Sequence, residues 1–180
     1  FLANVMTGVP SIVMGLFVYV IFTLRFGLSG LGGALALACL MLPVIIRSTE
    51  EMLRLVPGHL REASYALGTR KGRTILTVVL PSALPGVVSG CLLAIARAAG
   101  ETAPLLVTTG SIDTTNLDPF DGRMANLPVY VYEQYKFPGV PPEAFIERAW
   151  AGALLLILIV MVLFLAARLI SRRYGVEIRR

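Results

Sequence analysis

Two charged residues lie inside an otherwise apolar block of the sequence. The block runs from about Ile75 to Val107 and is interrupted by Arg97 and Glu101. Residues four apart share one face of an α-helix, so this spacing predicts an ion pair. An arginine inside a membrane span costs about 2.5–3.5 kcal/mol on insertion scales, and it usually faces a bundle interior or a watery path. Because arginine before glutamate is the weaker order for helix stability, the pair predicts a role beyond supporting its own helix.

The remaining reactive side chains predict no catalytic or metal site. Cys39 and Cys91 both lie in apolar blocks, and their spacing suits neither a disulfide nor a metal. His59 is the single histidine and lies among loop charges. The sequence has no glycine-rich phosphate loop of the Walker type, so we expect the chain to hydrolyse no ATP and to hold no cofactor. No nucleophile and base are paired within the apolar blocks, which disfavours a membrane-embedded enzyme.

The elements that position Arg97 and Glu101 are predicted to be membrane helices. The chain has 180 residues, of which 56% are hydrophobic, against about 45–50% in soluble domains. A hydrocarbon layer about 30 Å thick needs roughly 20 apolar residues in a helix. We therefore predict an all-α, polytopic transmembrane bundle with four spans. The apolar blocks lie at about 9–24, 28–46, 81–107 and 149–167.

The third block is too long for a single span. A helix over its whole length would measure about 50 Å. Its membrane part is therefore predicted to start near Pro81–Pro85, with Ile75 to Leu80 closer to the interface.

The charges between the blocks predict an orientation. Lysine and arginine are concentrated in the 47–73 loop and at the C-terminus, whereas the 108–148 loop is net acidic. Cytoplasmic loops carry the excess of lysine and arginine, and four spans place the first two segments on the same side. We predict that the 47–74 loop and the C-terminus are cytoplasmic and that 108–148 is extracytoplasmic. The net charge of +5 is explained by these flanking residues, so we expect no nucleic acid partner.

The 47–81 loop contains a helix–glycine–helix pattern. Residues from Glu62 to Leu67 favour a helix, Gly68 is placed to end it, and a second helix is expected from Arg70 into the apolar block. Ala63, Ala66 and Leu67 would present an apolar surface to a groove on a partner. In the outer loop, residues 127–135 predict either a short helix or a strand, and the rest is expected to be mostly irregular.

The cytoplasmic pattern resembles the EAA loop of ABC importer permeases, in which Glu-Ala-Ala is followed by Gly and later by Ile-x-Leu-Pro. Glu62, Ala63, Gly68, Leu80 and Pro81 match this motif. Two positions depart from it conservatively, with Ser64 in place of alanine and Val78 in place of isoleucine. The resemblance implies a type I importer fold and a coupling loop that docks on an ATPase subunit. ATP and Mg²⁺ would then be bound by that subunit.

A second segment is similar to phosphate permeases of the PstA type. It reads Leu92-Leu-Ala-Ile-Ala-Arg-Ala-Ala-Gly-Glu-Thr-Ala-Pro-Leu-Leu106, and the Ala-Pro-Leu-Leu ending favours this type over the related PstC type. The opening Gly8-Val9-Pro10-Ser11 and the pair Leu127-Pro128 also look like this family. The family has six spans, so the resemblance implies that the first spans precede this single permease domain of residues 1–180. It also implies a PstB-like ATPase, a PstC-like second permease, a PstS-like phosphate-binding protein outside the cell and the bacterial plasma membrane.

With that resemblance, we expect Arg97 to line a translocation path and to contact phosphate, because a guanidinium fork fits the oxygens of that anion. Glu101 would hold Arg97, and Thr102 would donate a hydrogen bond. Gly100 and Pro104 would let the helix flex, and Ser11 would also face the path. The alternatives are an ion pair at the outer interface or one that joins two subunits. At the level of function, the alternatives are import of sulfate or molybdate, a PstC-type subunit, or a secondary transporter that needs no ATPase.

Overall fold

The computed structural model describes residues 2–174, with side chains described for 5–169. Within these residues the chain forms eight helices and no strand. The first four are α1 (Leu2–Thr7), α2 (Ser11–Phe26), α3 (Gly30–Leu55) and α4 (Gly58–Ala66). The last four are α5 (Lys71–Ala98), α6 (Ala103–Thr108), α7 (Leu127–Lys136) and α8 (Pro142–Tyr174).

Three of these helices are long and apolar enough to cross a membrane. They are α3, α5 and the part of α8 from Pro142 to Leu169. The fourth expected span corresponds to α2, which is a shorter apolar helix from Ser11 to Phe26. At about 1.5 Å per residue it measures about 24 Å, less than the hydrocarbon thickness. The predicted all-α membrane bundle is confirmed, with three long helices and one short one in the described residues.

Helix α5 is the central element, because α3 and α8 both pack along it. Glycines allow the close contact with α3. A Cβ atom on Gly86 would collide with the Met52 side chain, and one on Gly90 would collide with Ser48. Small residues at helix contacts let backbones approach closely, which is how membrane helices gain packing without a hydrophobic driving force.

At the end of the bundle where α3 begins, the short helix α6 packs against α2 and α3. A Cβ atom on Gly15 would lie 2.6 Å from the Cα atom of Pro104, so the α2–α6 contact requires glycine. A Cβ atom on Gly33 of α3 would likewise collide with the hydroxyl of Thr109, which directly follows α6. The first turn of α3 is capped by Ser29, whose side chain accepts a hydrogen bond of 3.2 Å from the Gly32 N–H.

Helix α5 follows the sequence prediction at its start but not at its end. It starts at Lys71, as expected for a helix from Arg70 into the apolar block, and it ends at Ala98, well before Val107. The helix reaches the two prolines through a π-helical stretch, Ile75–Val79, which adjusts the backbone pairing there. The end is set by Pro104, whose ring would clash with the carbonyl of Gly100 in a continuous helix. Glu101 therefore lies beyond the helix, and Gly100 and Pro104 mark a break instead of a flexible point within it.

The segments outside the spans are more helical than expected. Helix α3 continues through the charged residues to Leu55 instead of ending near Ile46. In the outer loop, residues 127–136 form a helix, which resolves the choice between helix and strand. Asn126 caps this helix by accepting a hydrogen bond of 3.1 Å from the Val129 N–H. At the C-terminus, Arg179 and Arg180 and the side chains of Arg172 and Arg173 lie outside the described residues.

Candidate functional site

The helix–glycine–helix pattern folds into an elbow, formed by α4, residues 67–70 and the first turn of α5. Gly68 has a φ of 75°, a backbone conformation that side chains disfavour and glycine adopts freely. Two backbone hydrogen bonds close the turn, from the Gly68 N–H to Tyr65 O at 2.9 Å and from the Thr69 N–H to Ser64 O at 3.2 Å. The left-handed glycine reverses the chain and ends α4, as in other glycine-capped helices.

One face of the elbow is open and carries the residues that the motif singles out. Glu62, Ala63 and Ala66 of α4 are exposed, as is Leu67, which directly follows the helix. The Leu67 side chain is 85% exposed, so an apolar group stands at the tip of the elbow. Leu80 and Pro81 are also exposed, but they lie further along α5, about 9 Å or more beyond Thr74 at the helical rise. The elbow tip and the Leu80–Pro81 pair are therefore separate surfaces.

Ser64 has a different position from its motif neighbours, because it points inward. Its hydroxyl lies 2.8 Å from that of Thr74, and the two residues are 7% and 0% exposed. This bond joins the two arms of the elbow across ten residues of chain. Sequence reasoning placed Ser64 with the docking residues and did not find Thr74, since nothing in the spacing indicates that these hydroxyls meet.

We expect loss of either hydroxyl to destabilise the elbow. Ser64→Ala or Thr74→Val leaves one buried hydroxyl without its partner, which costs about 1–3 kcal/mol. The double variant removes both groups and is expected to lose less than the sum of the two single changes. Thermal unfolding of the purified transporter measures this. Thr77→Val is the control, because the Thr77 hydroxyl bonds only the Arg73 carbonyl four residues earlier and is exposed. Strictly additive single effects would show that the bond does not couple the arms.

A second element missed from the sequence is Arg61, which ties α4 to the end of α3. One guanidinium nitrogen, Nη2, donates a hydrogen bond of 2.7 Å to the Leu53 carbonyl. The only signal in the sequence was a basic residue just before the motif glutamate. The contact fixes the angle at which the elbow leaves the bundle.

The predicted ion pair between Arg97 and Glu101 forms, although the two residues do not share one continuous helix as expected. Arg97 Nε lies 3.7 Å from Glu101 Oε1, with Arg97 in the last turn of α5 and Glu101 beyond it. The Glu101 side chain is 20% exposed and the Arg97 side chain 69%. The Arg97 side chain is therefore mostly exposed on the surface of this chain, whereas that of Glu101 is mostly covered.

The pair lies at the depth of apolar side chains. Leu40, Met41 and Val44 of α3 line the same cavity of about 50 Å³ as Arg97 and Glu101. A second, open hollow joins the pair to Val160 and Phe164 of α8. These residues lie within the apolar stretches of α3 and α8, so the charges are level with the apolar part of those helices. An ionisable group at that depth marks a functional position by default.

Only some of the other residues expected near the Arg97–Glu101 pair lie beside it. Gly100 lines the open hollow with Arg97 and Glu101. Thr102 is half-buried at the start of α6, and its side chain makes no capping bond. Ser11 is half-buried at the first position of α2, and it lines neither of the two cavities. Pro104 is buried against Gly15.

Among the described residues, no group of three or more histidine, cysteine or acidic side chains is arranged to hold a metal.

Residues 1–176 match the family model described as "Binding-protein-dependent transport system inner membrane component". The chain belongs to this family. It is therefore an inner membrane transport component, and the resemblance read from the 60–81 loop is confirmed at the level of the family.

Relatives with similar sequences extend this result. The phosphate transport system permease protein PstA 1 of Mycobacterium tuberculosis (strain ATCC 25618 / H37Rv) is 52% identical over 172 residues, covering 94% of this chain and 55% of the relative. The phosphate transport system permease protein PstA of Yersinia pestis is 47% identical over 171 residues, covering 94% of this chain and 57% of the relative. The predicted resemblance to the PstA type is confirmed. The chain spans a little over half the length of these curated relatives.

A solved structure confirms the architecture. The MetNI methionine ABC transporter in an inward-facing conformation matches with a TM-score of 0.73 and 22% identity, covering 96% of this chain and 72% of the matched chain. At that identity the match concerns the fold alone. The chain of this permease family thus has the type I ABC importer fold that the sequence predicted.

Proposed function

We propose that this chain is the membrane permease part of an ATP-driven importer that moves inorganic phosphate across the bacterial plasma membrane. The observation that carries the proposal is the 47–52% identity to named phosphate permeases over 94% of the chain. The arginine held inside the span agrees with an anionic cargo, because its planar fork matches the oxygens of phosphate.

The elbow is the proposed contact with the ATPase subunit. Glu62 and Ala63 are exposed on α4, and Leu67 is exposed directly after it. The Ser64–Thr74 and Arg61–Leu53 hydrogen bonds fix the angle of this short helix. A short helix with an apolar tip fits a groove on an ATPase subunit of the PstB type, which would bind ATP and Mg²⁺. Closure of that subunit would push the elbow and rock the spans.

The remaining partners and the orientation belong to the same proposal. A second permease subunit of the PstC type would face the open side that carries Arg97, and a phosphate-binding protein of the PstS type would deliver cargo outside. The excess of lysine and arginine in the 47–74 loop and at the C-terminus supports a cytoplasmic location for both.

Uptake of radiolabelled phosphate by cells carrying the full-length protein tests the proposal. We expect unlabelled phosphate to compete, and sulfate and molybdate to leave uptake unchanged. We also expect the ATPase subunit to co-purify with the protein and to be lost when residues 60–81 are scrambled. Competition by sulfate or molybdate would move the assignment to another oxyanion. Uptake that continues without the ATPase subunit would point to a secondary transporter.

A further inference from the structure

Two grooves meet at Arg61 on one side of the bundle. The first runs along α3 and is lined by Ile45, Ile46, Thr49 and Leu53 together with the Glu50–Arg54 pair and Arg61. The second lies between α4 and α5 and is lined by Leu53, Arg61, Tyr65, Lys71, Ile75 and Val79. They share Leu53 and Arg61, so together they form one surface, apolar along α3 and cationic at the elbow.

The charges on this surface are incompletely paired. Arg61 donates one hydrogen bond to the Leu53 carbonyl, and its Nε–H is buried without a partner. In the described residues, neither Arg61 nor Lys71 forms an ion pair with a carboxylate. Glu50, the acidic residue in the first groove, is bound to Arg54 at 2.6 Å. Arg61 and Lys71 therefore present positive charge that no carboxylate of the described residues neutralises, and this fits a ligand that brings anionic oxygens to the two cations.

The apolar part of the surface identifies the source of those oxygens. Ile46 ends the apolar stretch of α3, and Leu53 lies seven residues further, about 10 Å along the helix. Headgroups occupy a layer of about 5–7 Å beyond the hydrocarbon on each side of a bilayer. Thr49 lies three residues beyond Ile46, about 4.5 Å along the helix and therefore within that layer, and it lines the same groove as Arg61. A free inorganic anion would gain nothing from Ile45 and Ile46, whereas a phospholipid places its phosphate at the cations and an acyl chain against the isoleucines.

We propose that Arg61 and Lys71 bind the phosphate group of an anionic phospholipid whose acyl chain lies along Ile45 and Ile46 of α3. The bound lipid would neutralise the two cations and would hold the base of the elbow at the membrane surface. The proposal does not rest on the transported substrate. It needs only that α3 and α5 cross the membrane.

The test uses the assembled transporter with the full-length protein, purified in detergent and titrated with phosphatidylglycerol. Bound lipid is counted by native mass spectrometry. Parallel titrations use zwitterionic phosphatidylcholine and inorganic phosphate. The variants are Lys71→Gln and Arg61→Gln. Arg70→Gln is the matched control, because Arg70 is exposed next to Lys71 but lines neither groove.

We expect phosphatidylglycerol to bind more tightly than phosphatidylcholine, and its apparent Kd to rise about five-fold in Lys71→Gln, the usual effect of one cation near an anionic lipid surface. Arg70→Gln is expected to change the Kd less than two-fold. Since Arg61→Gln also removes the bond to Leu53, Lys71→Gln is the deciding variant. An unchanged Kd in Lys71→Gln, or an equal rise in Arg70→Gln, would overturn the proposal. Displacement of the lipid by inorganic phosphate would assign the two cations to a free anion instead.

Discussion

Gly68→Val is expected to reduce the phosphate transported per ATP hydrolysed by about ten-fold, while the protein still inserts and assembles. The reason is the φ of 75° at the elbow. A β-branched residue held in this region costs about 1–3 kcal/mol, and a cost of 1.4 kcal/mol alone changes an equilibrium ten-fold. The chain relieves that strain by changing the angle between α4 and α5. The apolar tip at Leu67 would then no longer contact the ATPase subunit in the position that closure of that subunit requires.

Gly72→Val is a matched control for this change. Both glycines have open space around the site of a new Cβ atom, and only Gly68 has a positive φ. Uptake and ATPase activity are measured on the same reconstituted transporter, so that loss of coupling is distinguished from loss of protein. We expect Gly72→Val to keep at least half of the wild-type ratio. Equal ratios for the two variants would show that the conformation of Gly68 does not set the coupling.

Replacing Arg97 by alanine is expected to lower phosphate uptake about 100-fold. A hydrogen bond to a charged group is worth about 1.5–3 kcal/mol, and the upper end corresponds to about two orders of magnitude. Arg97→Lys keeps the charge but loses the two-pronged fork, so we expect it to retain about a tenth of wild-type uptake. Glu101, which is mostly buried beside it, would lose its partner in the alanine variant. Uptake is measured in proteoliposomes with the amount of assembled transporter determined in parallel.

The Arg54–Glu50 pair offers the control for Arg97→Ala. It has the same four-residue separation but lies exposed beyond the apolar part of α3. Exposed pairs of this kind are worth about 0.3–0.5 kcal/mol, so Arg54→Ala is expected to transport within two-fold of wild type. If Arg97→Ala transporters fell apart in detergent, the pair would join two subunits. Wild-type uptake by assembled Arg97→Ala and Arg97→Lys transporters would remove Arg97 from the path.

The elbow was predictable because its signals are local. Good helix formers, a glycine at the end and a following apolar block are read over about twenty residues, and the helix ends depend on the same short range. The helical period alone predicts that Ala63 and Leu67, four residues apart, share one face. The Ser64–Thr74 bond was not predictable, since it depends on how far the chain reverses at Gly68.

For Arg97 and Glu101, the sequence predicted the contact between the two side chains but not the backbone that carries them. The spacing of Arg97 and Glu101 predicted their pairing, and the pairing is found. The prediction that they share a continuous helix is wrong, because the Pro104 ring would clash with the carbonyl four residues earlier and the spacing of the two charges does not indicate this break. The helices that pack against α6 could not be predicted from the sequence, because the contacts at Gly15 and Gly33 come from two helices that are distant from α6 along the chain.

Helix α5 runs without interruption from Lys71 at the elbow to Arg97 at the ion pair, about 39 Å at the helical rise. A rod of that length amplifies small rotations. A tilt of about 5° at the elbow would displace its far end by about 3.4 Å, given the same rise per residue. That displacement is close to the whole Arg97–Glu101 separation of 3.7 Å. Because the Glu101 N–H donates a hydrogen bond of 3.1 Å to the Ala98 carbonyl, Glu101 is tied to the last turn of α5, and a movement of a few degrees at the elbow would carry both charges together through about that distance.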